Sequence, residues 1–262
     1  MFREILNQNM LKPKTLFLLA LFFATVAIFA LISLERGSLS SYYPSLRDPS
    51  PEETILPRSV GEKITYDVML GKVRLGQAYF SNLPNVEVDG RKLNLITFET
   101  RLARFADREE IYSDPKTLLP IKVNRDIKKW FVSERITEEY DQGRYLLKII
   151  KNKGDTQQQM IIQSGSHIHN AVLLPYYVRR IPKLKVGWSL QANFPLRKFL
   201  IKLVSIDSIV VPAGTFQAYH FISEPKQFQI WISLDERRIP IKIVGTGMFG
   251  YSLEMSKYSH ND

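Results

Sequence analysis

The sequence predicts an all-β protein: an antiparallel, strongly curved sheet or open β-barrel of roughly a dozen strands with one short helix, preceded by a single N-terminal transmembrane helix. Three observations predict it. From Gly61 onward apolar residues recur with period two. Turn-forming pairs interrupt them at short spacing. The uninterrupted apolar run lies far upstream, at Thr15–Leu34. Strands in such number must curl or close, because a flat sheet of that width leaves long bare edges.

The apolar run comes first in the chain. As a helix it makes a rod about 30 Å long, the thickness of a bilayer's hydrocarbon core. Arg3, Lys12 and Lys14 precede it, and the mixed pair Glu35 and Arg36 lies just after it. The positive-inside rule keeps residues 1–14 in the cytoplasm, makes 15–34 the span and exports the remainder of the chain. A cleaved signal peptide has a shorter apolar core and a small-x-small site. Ala30 has Ile28 at that spacing, Ser33 has Leu31 and Gly37 has Glu35, so an uncleaved signal anchor fits better. The chain has no cysteine, which removes both a lipid-bearing cysteine and any disulfide. Residues 35–60 read as a tether, broken by Pro44, Pro49, Pro51 and Pro57. Residues 61–262 form the exported β domain.

Within that domain the strands run in order. Ile64, Tyr66, Val68 and Leu70 alternate with Lys63, Thr65, Asp67 and Met69. Asp89-Gly90 between two alternating runs is a two-residue hairpin. Asp141-Gln142-Gly143 and Asn152-Lys153-Gly154-Asp155 separate Phe131–Tyr140, Arg144–Lys151 and Thr156–Ile162 as a meander. The helical candidate is Gly165–Arg179, expected to end near Leu174 because Pro175 would break it. Phe199–Ile206, Thr215–Ser223, Gln227–Leu234, Ile239–Val244 and Met248–Tyr258 complete the pattern. Val211-Pro212-Ala213-Gly214 and Ser113-Asp114-Pro115-Lys116 read as turns.

Several segments together carry a resemblance. They are Gly61–Val68, Leu75–Ala78, Asp114–Pro120, Tyr176–Arg179 with Val186-Gly187, Val211–Phe216, and Ile230–Ser233 with Asp235 and Arg238–Ile241. In this order the chain resembles a family of exported bacterial envelope proteins defined as a domain of unknown function. The resemblance implies an envelope location and a β-rich fold, and it brings no activity with it. Where the family usually has an acidic residue before Tyr-Tyr-x-Arg, this chain has His169 and Asn170.

The sequence carries few residue patterns that support catalysis or metal binding. His167 and His169 share a face on a strand, but zinc needs a third protein ligand and no cluster adjoins them. Gln163–His167 lacks the spacing of a Gly-x-Ser-x-Gly elbow. Cysteine catalysis is excluded by composition, and no Walker or Rossmann glycine loop is present. Glu109-Glu110 and Glu138-Glu139 read as exposed strand charges. The sequence therefore names no catalytic residue, metal ligand or cofactor.

What remains is a basic and aromatic stretch. Tyr176, Tyr177, Arg179, Arg180, Lys183, Lys185, Trp188, Arg197 and Lys198 are the candidate ligand-binding residues, with Lys128, Lys129 and Trp130 a weaker instance of the same composition. With a formal charge of +10, an exported domain of this kind suits anionic headgroups or acidic glycans more than nucleic acid. A basic surface kept for solubility is the plainer alternative. The reading is of an envelope module in the bacterial periplasm, anchored in the inner membrane, that binds rather than catalyses. Its ligand would be a lipid, glycolipid or other anionic amphiphile on a concave sheet. The alternatives are a scaffolding partner of another envelope protein, using an exposed sheet edge, and an envelope hydrolase.

Overall fold

A computed structural model describes residues 60–245 and 251–260. The apolar run Thr15–Leu34 and nearly all of the tether lie outside the described residues. No helix among those described is long and apolar enough to cross a membrane.

Eight strands run first: β1 (Glu62–Leu70), β2 (Val73–Val88), β3 (Arg91–Leu102), β4 (Phe105–Ser113), β5 (Pro120–Lys129), β6 (Val132–Asp141), β7 (Leu146–Lys153) and β8 (Thr156–Gln163). A 3-10 turn at Ala171–Leu173 and the helix α1 (Leu174–Arg179) come next. The chain then resumes as β9 (Ser189–Phe194), β10 (Arg197–Val211), β11 (Gly214–Glu224), β12 (Phe228–Ser233), β13 (Pro240–Gly245) and β14 (Tyr251–His260). All fourteen belong to one sheet, ordered β8 down to β1, then β14 down to β9. Two antiparallel meanders are thus joined at β1–β14, paired from Glu62↔His260 to Leu70↔Tyr251 with one bulge between Thr65 and Tyr66. The sheet is not closed: β8 and β9 are both edges.

Alternation decides the faces. Ile64, Tyr66 and Val68 of β1 are fully buried, and register carries their face across to Ala78 and Phe80, then Ile96 and Ile111. α1 packs against this inner face, with its six residues all buried and the Tyr176 ring 5.4 Å from that of Phe80. The helix begins where the sequence placed its end. Pro175 sits in its first turn, where a missing N–H costs nothing and the fixed φ suits a helix, so it starts α1 instead of breaking it. Asn170 caps the preceding 3-10 turn, its Oδ1 accepting from the Val172 N–H at 2.8 Å.

In a meander every second connection falls on the same rim. Gly71–Lys72, Ala103–Arg104, Trp130–Phe131 and Gly154–Asp155 are two-residue turns on one rim, here the tip rim. The start of β1 and α1 lie at the opposite, helix rim. Asp89-Gly90 is the expected hairpin, with φ of 50° and 71°. Between β2 and β3 the backbones approach so closely at Gly76 that an added Cβ would lie 2.2 Å from the Arg101 carbonyl oxygen. Gly76→Ala is therefore expected to cost about 1–3 kcal/mol, since strand backbone must move. Urea unfolding checks this.

Candidate functional site

The densest polar contacts lie where α1 meets the sheet. Arg179, almost wholly buried, donates from Nη1 to both carboxylate oxygens of Glu62 on β1, at 2.8 and 3.1 Å. Its Nε donates to the Arg238 carbonyl at 2.8 Å. Arg238 returns the contact: its Nη1 donates to the carbonyls of Val178, Arg179 and Ile181 at the C-terminal end of the helix, where few backbone donors remain to satisfy them. The Tyr66 hydroxyl donates to the Pro240 carbonyl at 2.7 Å, and that of Tyr177 to the Leu118 carbonyl at 3.0 Å. Burial pushes the pKa of Tyr66, Tyr176 and Tyr177 upward, so these hydroxyls stay protonated.

The nine candidate residues divide three ways. Tyr176, Tyr177 and Arg179 are buried in these contacts. Arg180 and Trp188 are half-buried, Trp188 standing edge-on to Phe221 at 6.2 Å. Lys183 and Lys185 are exposed before the base of β9, where Trp188 pairs with Leu203. Arg197 and Lys198 are exposed at the tip rim, where β10 begins. The six residues of β9, about 20 Å of strand, separate the two exposed pairs. No single opening collects them. His169 exchanges hydrogen bonds with the Asn193 backbone, and His167 stands edge-on to Tyr145.

A second buried cluster corrects the reading of the acidic pairs. Glu109 and Glu138 face inward; Glu110 and Glu139 are the outward members. Arg125 lies between the two inward carboxylates, donating from Nε to Asp107 Oδ1 at 2.8 Å and lying 3.4 Å from Glu109. The Tyr140 hydroxyl donates to Glu138. Burial raises Glu109 to about 7, with Asp107 and Glu138 adding to the effect and Arg125 opposing it. Burial also raises Glu138, against Tyr140 and Arg125. The sequence does carry the signal: Phe105 and Ile111 share the parity of Glu109, which puts that carboxylate on the apolar face.

The two sheet edges differ. Asn193 of β9 is bonded to His169, Ser164, Ser166 and His167, which covers part of that edge. β8 has no such cover. The Ser164 N–H bonds the Tyr145 carbonyl, so alternation turns the N–H groups of Ile162, Met160 and Gln158 toward β7. Those of Gln157, Gln159, Ile161 and Gln163 point away from the sheet. No hydrogen bond joins these outward groups to any described residue. The strand TQQQMIIQ carries no charge and no proline, and Ile161 is 63% exposed. On the outer face beside it, Ile121, Leu146, Lys148 and Ile161 line a depression of about 340 Å³.

A family model described as "Protein of unknown function (DUF3108)" matches residues 65–256. The chain belongs to the DUF3108 family. No curated protein matches it. Three solved structures are similar to the DUF3108 chain, each over 79% of its length. A beta-barrel-like DUF1849 protein from Brucella abortus is 10% identical, matched over 100% of that chain, with a TM-score of 0.49. A Bacteroides fragilis protein described as exported, with a YmcC-like fold, is 8% identical over 99% of that chain at 0.28. A protein described as a lipoprotein from Parabacteroides distasonis is 8% identical over 99% of that chain at 0.27. Likeness at these scores says nothing of function.

In the DUF3108 chain, Gly61–Val68, Asp114–Pro120, Tyr176–Arg179 and Arg238–Ile241 meet at the helix rim, through Glu62, Tyr66, Leu118, Arg179 and Arg238. The inward carboxylate makes a separate, pH-dependent contribution. Because the folded Glu109 value lies above its ordinary 4.5, the stability of its protonated form is present below pH 4.5 and lost as pH rises through 7. Glu109→Gln should therefore gain on the wild type between pH 5 and pH 8 by about 1–3 kcal/mol. Paired urea titrations measure it; a difference constant with pH would contradict the burial of this group.

Proposed function

We propose that the DUF3108 protein is a non-catalytic binding module of the bacterial envelope, held at the inner membrane by residues 15–34 with residues 61–262 in the periplasm. Its binding surface is the open edge of β8, where an extended segment of another envelope protein adds as a further strand. One observation carries this reading: the outward backbone groups of Gln157, Gln159, Ile161 and Gln163 are unpartnered on a strand without charge or proline. Sheet edges are normally blunted by those devices. Backbone pairing supplies affinity in strand addition, and side-chain pockets supply choice. The depression at Ile121, Leu146 and Ile161 favours an apolar residue in the added strand. An anionic amphiphile on the inner face has less room, since α1 and the Asp107–Glu109–Arg125–Glu138 cluster occupy that face.

A photoreactive amino acid at Gln159, in the full chain in its native envelope, tests this. It should give one discrete adduct, lost when Ile161→Lys places a charge on the edge. That exposed substitution should change stability by no more than about 0.5 kcal/mol. Absence of an adduct, its persistence in the Ile161→Lys chain, or a species of twice the chain's mass would contradict a heterotypic partner at β8.

A further inference from the structure

Two large aromatic residues occupy a position that sheet geometry gives to small ones. Trp130 and Phe131 form the whole two-residue turn between β5 and β6. Two-residue hairpin turns that place positive φ at the first central residue favour Gly or Asn there. Trp130 nevertheless has φ 45°, a strained conformation for a bulky side chain. Phe131 is 92% exposed, the most exposed large apolar side chain among the described residues, and Trp130 is 54% exposed. Val73 and Val132 add apolar surface on the same rim, at 56% and 41%. Contacts with the neighbouring turn hold Trp130 in place, but no described residue covers the Phe131 ring, which faces solvent.

Cations surround the rings. Arg104, in the neighbouring turn, lies 4.0 Å over the Trp130 ring, and its carbonyl accepts the Trp130 N–H at 3.1 Å. Arg101, Arg104, Lys128 and Trp130 line an open cleft of about 480 Å³. Glu99 holds Arg101, but no described carboxylate comes within ion-pair distance of Arg104, Lys128 or Lys72 of the β1–β2 turn. Asp155 is the acid of the β7–β8 turn.

We propose that the tip rim docks on a bilayer surface rich in anionic phospholipid: Trp130 and Phe131 enter the interfacial layer, and Lys72, Arg104 and Lys128 hold lipid phosphates. Tryptophan prefers the headgroup level, where its ring is apolar on one side and wet on the other. Unpaired cations are drawn to an anionic leaflet within a Debye length. Reach permits it. Residues 35–60 can extend at most about 90 Å, whereas β1, which carries the chain from the helix rim to the tip rim, is about 30 Å long. A protein partner would not need the headgroup-sized cationic cleft beside the rings.

Since the chain has no cysteine, Val132→Cys carries a single nitroxide beside the intact turn. The full chain is reconstituted in phosphatidylglycerol–phosphatidylethanolamine vesicles and, separately, in phosphatidylcholine vesicles. Docking predicts that the label's accessibility shifts from an aqueous nickel chelate toward oxygen in the anionic vesicles only, and that high salt reverses the shift. Trp130→Asn with Phe131→Gly installs the favoured turn pair, so folding is retained while the aromatic wedge is removed; the shift should be lost. A label that stays in water in both vesicles, an equal shift in both, or a shift that survives the turn replacement overturns the proposal.

Discussion

The fold depends on one buried charge, the guanidinium of Arg179. Burying an ion pair costs several kcal/mol per ion and is recovered only with good geometry and satisfied hydrogen bonds. Here the geometry spans the junction of the two meanders. Glu62, which binds one side of Arg179, opens the first strand of the N-terminal meander, while Arg238 precedes β13 in the C-terminal one. Arg238 in turn donates to the carbonyls of Val178 and Arg179 at the end of α1. A helix of six residues, too short to be stable alone, is thereby fixed between the two halves of a sheet whose edge strands β8 and β9 do not pair.

Segments that lie far apart in sequence converge on this helix. Glu62, Tyr66, Leu118, Arg179 and Arg238 hold α1 through contacts made inside the fold. The surfaces left over are elsewhere: the uncovered backbone of β8 and the aromatic turn Trp130–Phe131. The two edges of the sheet make the contrast plain. Asn193 of β9 meets the segment from Ser164 to His169, while β8 meets nothing described on its outer side. Charged groups beside the two surfaces lie in open depressions: Lys148 next to β8, and Arg101, Arg104 and Lys128 next to the aromatic turn.

Much of the architecture is legible in the sequence, because strand alternation and turn chemistry are local. Asp89-Gly90, the meander to Ile162 and the buried parity of Ile64, Tyr66 and Val68 all come from residues a few places apart. The helix is harder to place because Pro175 reads equally as a breaker or a starter, and the choice depends on Asn170 and on burial against Phe80. The basic–aromatic stretch looks continuous along the chain. A hairpin strand separates Lys183 from Arg197, and α1 turns Tyr176, Tyr177 and Arg179 inward. Glu109 and Glu138 pass for surface charges because their partner, Arg125, belongs to another strand. Strand parity alone puts Glu109 on the apolar face, but its partner Arg125 and the burial of α1 depend on long-range contacts.

The meander stops at β8 with its outer backbone unpaired among the described residues. Residue-resolved amide hydrogen exchange across Thr156–Gln163 tests it most directly. The account predicts alternation in the isolated chain: Gln158, Met160 and Ile162 protected, Gln157, Gln159 and Ile161 exchanging fast. Uniform protection along the strand would show the edge already covered, and would contradict the account.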